Sequence, residues 1–228
     1  MMSKIILVIA AHPDDEVLGC GGTMAKHVLA GDEVYCLILG EGITSRNLKP
    51  QLAKVELKKL KSQSGKAAKA IGIKKVSFRD FPDQRFDAVP ILEIIKAIEE
   101  FKETLSPEVI YTHHHGDLNI DHQITFKAVL TAFRSLKGET VKEIYSFEVP
   151  SSTEWNSPHS QNYFMPNVFV DISDTLDKKI EALKAYLGEI RECPHPRSPE
   201  VLRAIALRWG SVVGCQAAEA FELIRAVR

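Results

Sequence analysis

The feature that most constrains this chain is an apolar run that ends directly in a polar cluster, within residues 5–19. Residues 5–9 carry β-branched side chains at both odd and even positions, which is typical of a strand buried on both faces of a parallel sheet. The run leads without a gap into His12, Asp14, Asp15 and Glu16. Ligands of open α/β sheets bind at the carboxyl ends of the strands. The sequence therefore predicts a functional site directly after this first strand.

The polar cluster has two interpretations. Carboxylates and a histidine packed this closely are unfavourable unless a cation lies among them. His12 and Asp15, three residues apart, can converge on one point and form part of a zinc site, because zinc accepts nitrogen and oxygen ligands. Alternatively, the acidic residues only mark the N-terminus of the helix that starts near Glu16, where the helix dipole favours negative charge. Two ligands do not make a metal site, so the first interpretation requires a third.

Strand and helix patterns alternate along the rest of the chain. Strands are predicted after the first one at residues 33–39, 75–78, 108–112, 143–147 and 168–172. Helices are predicted at residues 17–29, 51–71, 90–104, from 122 to about 134, 173–187 and 199–213. This order implies βαβ units and an α/β fold with a mostly parallel sheet flanked by helices. No linker separates a second domain, so we expect a single domain over residues 1–228.

Composition excludes several classes of function. The 228 residues are 45% hydrophobic and 26% charged, with a formal net charge of −1, as in an ordinary soluble domain. This charge predicts no nucleic-acid or anionic-membrane partner. No run approaches the ~18 apolar residues of a membrane span, and the first apolar run is too short for a signal peptide. The four dispersed cysteines indicate reduced thiols, so we expect a cytoplasmic protein.

A second polar cluster, residues 113–122, follows the strand predicted at residues 108–112. The carboxyl ends of parallel strands share one edge, so this segment can meet His12 and Asp15. His122 is the natural third ligand, and three protein ligands with an open position are the pattern of a catalytic zinc site. Asp14 would then lie beside the metal and serve as general base for a bound water. The alternative for His122 is an ordinary surface histidine on a helix.

The motifs at these two strand ends resemble a known family. Residues 11–16, Ala-His-Pro-Asp-Asp-Glu, together with residues 121–122, Asp-His, are similar to the motifs of the zinc-dependent de-N-acetylases called LmbE-like or PIG-L-like. Further matches lie at residues 40–46, 194–198 and 218–221, so the resemblance spans nearly the whole chain. It implies a Rossmann-like three-layer fold. It also implies a hydrolase that removes the N-acetyl group from an N-acetylglucosamine-type sugar or sugar conjugate.

Residue by residue, the resemblance assigns the zinc ligands to His12, Asp15 and His122. It assigns the general base to Asp14, which would activate a water bound to Zn²⁺. An arginine of the family that contacts substrate falls on Arg46. The alternative for Arg46 is an ion pair within its own loop.

One position departs from the family pattern. Many relatives have a histidine where this chain has Asn119, and that histidine is assigned to stabilising the oxyanion or donating a proton. An amide donates a hydrogen bond but transfers no proton. The proton for the leaving amine would then come from the general base or from another histidine. His195 is the first candidate, and one of the histidines at residues 113–115 is the second. Asp83 is a further candidate for substrate binding, and Asp121 is expected to orient a neighbouring group.

Three hypotheses about function remain open from the sequence. The first is the zinc hydrolase acting on a small N-acetylated sugar or glycoconjugate. The second is a zinc amidase on a related non-acetyl amide, which would keep the metal residues and differ in the pocket loops. The third is a non-catalytic protein that binds a sugar or nucleotide, and an intact Asp14 argues against it. A homo-oligomer is expected by analogy with relatives, and the sequence does not identify the sugar.

Overall fold

The computed structural model describes residues 3–45, 49–157 and 162–228. Within these residues, seven strands form one sheet. Numbered along the chain, they are β1 (Ile5–Ala10), β2 (Glu33–Gly40), β3 (Lys75–Phe81), β4 (Val109–His113), β5 (Glu143–Phe147), β6 (Val168–Asp171) and β7 (Ala218–Ala226). Their order across the sheet is β3-β2-β1-β4-β5-β7-β6.

The sheet is mostly parallel, which confirms the predicted fold class. Parallel pairs join β3 to β2, β2 to β1, β1 to β4 and β4 to β5. β7 lies antiparallel between β5 and β6. The sequence patterns predict six of these strands to within a few residues but leave the segment of β7 unassigned. Pairing with strands far away in sequence makes that segment a strand.

Helices cover both faces of the sheet. In the described parts of the chain they are α1 (Asp15–Leu29), α2 (Pro50–Ile71), α3 (Ile91–Leu105), α4 (Ile120–Ala132), α5 (Leu176–Lys184) and α6 (Pro199–Val213). α5 is shorter at both ends than the predicted helix over residues 173–187. None of the helices within the described residues has both the length and the apolar character that a membrane crossing requires.

β1 shows why three layers form. Ile6 and Val8 belong to the core that lies beneath α1, α2 and α5. Leu7 and Ile9 point to the opposite face and belong to the core beneath α3 and α4. All four side chains are fully buried. An apolar residue at every position is therefore the local signature of a central strand covered on both faces.

A break in α1 is held by buried charges. The backbone of Cys20 is non-helical, with φ −143°. The carboxylate of Glu219 on β7 accepts hydrogen bonds from the N–H groups of Gly22 and Thr23, at 3.0 and 2.6 Å, as a capping residue does at a helix start. Lys179 Nζ donates hydrogen bonds to Glu219 and to the backbone carbonyl of Leu18, which lies in the first turn of α1. The first turn of α1 is thus tied to β7 and α5.

Candidate metal and catalytic site

The candidate site lies at the carboxyl ends of β1 and β4, where the strand order changes direction. β1 has β2 on one side and β4 on the other, and a crevice opens at such a point in doubly wound sheets. His12 follows β1, and His122 lies in the first turn of α4, which follows β4. A polar crevice of about 190 Å³ contacts both residues.

Three buried side chains converge at the floor of this crevice, and we call them the inner cluster: His12, Asp15 and His122. Their ligand atoms lie within 4.8 Å of one another. Asp15 Oδ2 is 3.4 Å from His12 Nδ1 and 3.2 Å from His122 Nε2. Neither ring nitrogen of His122 has a hydrogen-bond partner among the described residues, although buried polar groups normally have one. Two imidazole nitrogens and a carboxylate oxygen fit the predicted zinc ion.

The other ring nitrogen of His12 faces two more carboxylates. Its Nε2 is 3.0 Å from Asp121 Oδ2 and 3.2 Å from Asp83 Oδ1. Asp121 also accepts hydrogen bonds from two backbone N–H groups of the loop before α3, and Asp83 accepts one from the Ser45 hydroxyl at 2.6 Å. Because both carboxylates already have donors, they are suited to orient the His12 ring, as carboxylates do beside zinc-binding histidines.

Carboxylates around the two histidines favour positive charge in the metal-free protein. Burial by itself lowers the pKa of His12, but hydrogen bonds with Asp121 and Asp15 raise it to about 10. Burial also opposes charge on His122, whereas the charges of Asp15 and Asp117 raise its pKa to about 9. Protons therefore occupy the histidines when no metal is bound, and a divalent cation must displace them.

Asp14 lies beside the inner cluster in a strained conformation. Its φ is +108°, a region that residues with side chains rarely adopt and that is often found at functional sites. Its Oδ2 accepts a hydrogen bond from Arg197 Nη1 at 2.9 Å. Burial raises the pKa of Asp14 well above its usual value, and the charge of Arg197 opposes this rise. Asp14 is almost fully buried yet lines the crevice, which suits a group that exchanges a proton with a bound molecule.

Glu16 supports the strained turn from behind. Its Oε2 accepts the backbone N–H of Asp14 at 3.0 Å, and its Oε1 accepts a hydrogen bond from the Tyr186 hydroxyl. Tyr186 is fully buried and follows α5. The position of Asp14 therefore depends on a residue 172 positions away in sequence, and no spacing pattern predicts this contact.

Asn119 lines the crevice at the N-cap of α4. Its Oδ1 accepts the backbone N–H of Asp121 at 2.9 Å, a typical capping contact. Since the oxygen is used in the cap, the side-chain NH₂ group is available as a donor on the other side. The amide oxygen of Asn119 therefore caps α4, and the amide nitrogen is left to donate a hydrogen bond into the crevice.

The three consecutive histidines point in different directions. His113 is buried and stacks on His122 with ring centroids 4.0 Å apart. Its Nε2 accepts the backbone N–H of Ala11 at 2.8 Å, so its proton is on Nδ1. His114 lies against β7, and His115 lies near α4. Of the three, His113 is the one that contacts the inner cluster.

The remaining predicted residues differ in their relation to the crevice. Arg46 lies outside the described residues. Asp83 lines the crevice and Asp121 contacts His12 from the side. The half-exposed ring of His195 lies 5.9 Å from the Trp155 ring. Within the described residues, His195 is not part of the crevice lining.

Two contacts of the site were not predicted from the sequence. The guanidinium of Arg197 pairs with Asp14 across 183 positions, and no local pattern indicates this pair. Asp117 Oδ2 lies 3.2 Å from His122 Nδ1, and it accepts a hydrogen bond from the Thr153 hydroxyl at 2.6 Å. Asp117 stands in the polar segment that supplies His122, so proximity in sequence is the signal that could have indicated it.

The sequence and fold around this site are shared with known proteins. Residues 7–133 match the PIG-L family, described as GlcNAc-PI de-N-acetylase, and this is more than half of the 228 residues. The chain belongs to the PIG-L family. A diacetylchitobiose deacetylase of Thermococcus kodakarensis is 26% identical to this PIG-L member over 234 aligned positions, covering 97% of this chain and 83% of that protein. The structure of the N,N'-diacetylchitobiose deacetylase from Pyrococcus horikoshii has a TM-score of 0.80 and 20% identity, covering 98% of this chain and 84% of that chain.

PIG-L relatives of similar identity include an enzyme of another class. A 4-oxalmesaconate hydratase of Pseudomonas putida is 27% identical over 202 aligned positions, covering 82% of this chain and 74% of that protein. The fold therefore hosts more than one reaction, as many folds do. Family membership confirms the resemblance drawn from the motifs, and the residues of the site itself determine which reaction this PIG-L member can perform.

Proposed function

We propose that this PIG-L family member is a zinc-dependent hydrolase that removes the N-acetyl group of an N-acetylglucosamine-type sugar or sugar conjugate. The observation that carries the proposal is the convergence of the inner cluster next to Asp14 at the floor of a polar crevice. A buried carboxylate with a perturbed pKa beside a cation site is the arrangement of a catalytic centre rather than of a simple binding site.

The residues that would hold zinc are His12, Asp15 and His122. A bound zinc ion supplies Lewis-acid chemistry, because it polarises a carbonyl and lowers the pKa of a bound water toward about 7. Asp121 engages Nε2 of His12 and leaves Nδ1 on the side of Asp15. Asp117 lies beside Nδ1 of His122 and leaves Nε2 on that side. The surrounding carboxylates thus orient both rings toward a common point.

Asp14 handles the proton transfers. Its carboxylate accepts a proton from the attacking water as the water oxygen bonds to the acetyl carbonyl carbon. When the C–N bond breaks, Asp14 returns the proton to the leaving nitrogen, so that a free amine and acetic acid form, and the acid releases its remaining proton to solvent as acetate. Arg197 holds Asp14 Oδ2 in place during both steps. The side-chain NH₂ of Asn119 donates a hydrogen bond to the oxyanion, and no proton has to come from this position.

The lining of the crevice supports a hydroxyl-rich substrate. Ser45, Ser151, Ser152 and Gln84 line it together with Asp83. Hydroxyl, amide and carboxylate groups of this kind hydrogen-bond to the hydroxyls of a sugar ring and give orientation and specificity. A small polar N-acetylated sugar or glycoconjugate is therefore the substrate class that we propose.

Amine release tests the proposal when zinc content is followed in parallel. The substrates are N-acetylglucosamine, N,N'-diacetylchitobiose, an N-acetylglucosaminyl malate and one non-acetyl amide of glucosamine. Asp14→Asn is compared with wild type and with Asp80→Asn, a matched control whose carboxylate is exposed and pairs with Lys61. We expect Asp14→Asn to retain zinc and lose amine release by about 10²–10⁴-fold, and Asp80→Asn to behave as wild type.

Other outcomes would point to the competing hypotheses. Cleavage of only the non-acetyl amide would indicate the amidase. Zinc binding without any amine release, together with hydration of an unsaturated dicarboxylate, would indicate the chemistry of the hydratase relative. An Asp14→Asn variant with full activity would contradict the assigned general base.

A further inference from the structure

A second group of imidazoles and a carboxylate lies away from the catalytic crevice. We call His114, His115 and Glu222 the outer cluster. Each offers a ligand atom, and these atoms lie within 4.8 Å of one another. The two histidines come from the loop between β4 and α4, and Glu222 comes from β7. The sheet therefore brings three potential metal ligands together from segments about 107 positions apart.

The two hydrogen-bond contacts of the His114 ring indicate a cation between His114 and Glu222. His114 Nε2 is 2.9 Å from the carbonyl oxygen of Asn162, and His114 Nδ1 is 3.0 Å from Glu222 Oε2. Both oxygens are acceptors, whereas a neutral imidazole has a single N–H. If Nε2–H donates to Asn162, the lone pair of Nδ1 faces a carboxylate. That contact is favourable only with a proton or a metal ion between the two atoms.

The position of His115 favours a metal ion over a proton. Its ring centroid lies 4.3 Å from that of His114. A ligand atom of His115 lies within 4.8 Å of ligand atoms of both His114 and Glu222. A shared proton bridges only two atoms, whereas a zinc-type ion binds about four ligands and can accept a third protein atom. His115 is partly exposed, and the Glu222 side chain is 13% exposed.

We propose that His114, His115 and Glu222 bind a second divalent metal ion of the zinc type. Two imidazole nitrogens with one carboxylate oxygen suit zinc and similar first-row ions. Magnesium and calcium prefer shells made of oxygen alone. The two metals would not share ligands, and binding at the outer cluster does not depend on hydrolase activity.

A metal ion at the outer cluster would also fasten the loop that leads into β6. Asn162 accepts a hydrogen bond from His114, and the backbone N–H of Met165 donates to Glu222 Oε1 at 2.6 Å. Gly116 permits the close approach of this loop, because a Cβ at that position would lie 2.0 Å from the Asn162 carbonyl oxygen. Asn162 and Met165 belong to the described residues that lead into β6, so a metal ion at the outer cluster would fix the start of this segment against β4 and β7.

Zinc stoichiometry on the full chain tests the second site. Protein stripped with a chelator is dialysed against buffered zinc, and the bound metal is measured for wild type, His115→Ala, Glu222→Gln and His122→Ala. His195→Gln serves as the control, since it removes a half-exposed histidine outside both clusters. Cobalt substitution supplies a visible absorption spectrum for each site. Thermal unfolding of the metal-free variants shows whether each one folds, and Glu222→Gln preserves the size of the side chain.

We expect two zinc ions in wild type and in His195→Gln. His115→Ala and Glu222→Gln should each lose one ion, with a Kd at the outer cluster raised by at least about tenfold. His122→Ala should lose the other ion and keep the cobalt spectrum of the outer cluster. A single zinc in wild type that His115→Ala and Glu222→Gln do not affect would overturn the second site and leave the catalytic proposal intact. Equal loss in His195→Gln would indicate adventitious surface binding and also overturn it. A zinc content unaffected by His122→Ala would contradict the catalytic proposal alone.

Discussion

The inner and outer clusters combine the same chemical groups in different environments. In the inner cluster, His12, Asp15 and His122 are all buried, and further carboxylates orient both rings. In the outer cluster, His115 and Glu222 are partly exposed, and the partners of the ligands are two backbone groups of a loop and the hydroxyl of Ser146. If both clusters bind a cation as proposed, burial and neighbouring groups would decide whether that cation takes part in chemistry or holds a loop.

The largest effect is expected from His122→Ala, which removes a ligand of the inner cluster. Amine release should fall to the background of chelator-treated wild type even with saturating zinc, because Asp15 and His12 alone offer two ligands. The rate is measured across a zinc titration for this variant and for His115→Ala. Equal losses in the two variants would remove the functional distinction between the clusters.

A smaller effect is expected from Asn119→Ser. Serine caps a helix about as well as asparagine, so the free energy of unfolding should change by less than about 0.5 kcal/mol. The shorter side chain no longer places an amide donor in the crevice, so kcat should fall by about 10²-fold, as for other oxyanion donors. Steady-state kinetics and urea unfolding check both parts. A raised KM with unchanged kcat would show that Asn119 binds only the ground state.

Tyr186→Phe tests how much the hydroxyl donor to Glu16, which supports the strained turn at Asp14, contributes to stability. The change leaves the buried carboxylate of Glu16 without its hydroxyl donor. The free energy of unfolding should therefore fall by about 1–3 kcal/mol. Tyr35→Phe is the matched control, because the Tyr35 hydroxyl donates to the half-exposed Glu33. Urea unfolding of both variants at pH 7 gives the comparison, and equal losses would contradict a special role of Glu16.

The smallest effect concerns an ion pair outside both clusters, Lys102 with Glu139 at 2.5 Å. Burial tends to raise the pKa of Glu139, but the hydrogen bond from Lys102 outweighs it and lowers the pKa. A lowered folded pKa contributes stability above the unfolded pKa, and this stability is lost as the pH falls through the folded value. Glu139→Gln should thus reduce the free energy of unfolding at pH 7 by no more than about 1 kcal/mol. Unfolding measured from pH 7 to pH 2 should show the difference vanish, and a difference that grows in acid would refute the assignment.

Local sequence was sufficient to predict the central strand and the turn that follows it. The residues of β1 are apolar at every position, and the polar cluster comes immediately afterwards. The strand and the turn that carry His12 and Asp15 were therefore predictable from neighbouring residues. The third member of the inner cluster was predictable because parallel strands end at the same edge.

Contacts across long sequence separations were not predictable in the same way. The segment of β7 mixes alanine and glutamate with a few larger apolar residues, a composition that fits several structures, and pairing with β5 and β6 makes it a strand. The pairing of Arg197 with Asp14 and the contact of Tyr186 with Glu16 join segments about 170–183 positions apart. No local periodicity in the sequence predicts such contacts, because they depend on how the helices pack on the completed sheet.

By itself, the sequence determined the alternation of strands and helices, the shared sheet edge after β1 and β4, and the histidine and carboxylate residues that meet there. The tertiary structure decided the directions of the three consecutive histidines. His113 packs on the inner cluster, His114 lies against Glu222 and His115 lies near Phe126. The physical reason is that adjacent side chains at the end of a strand diverge, and each direction is then set by partners that only the folded chain brings near.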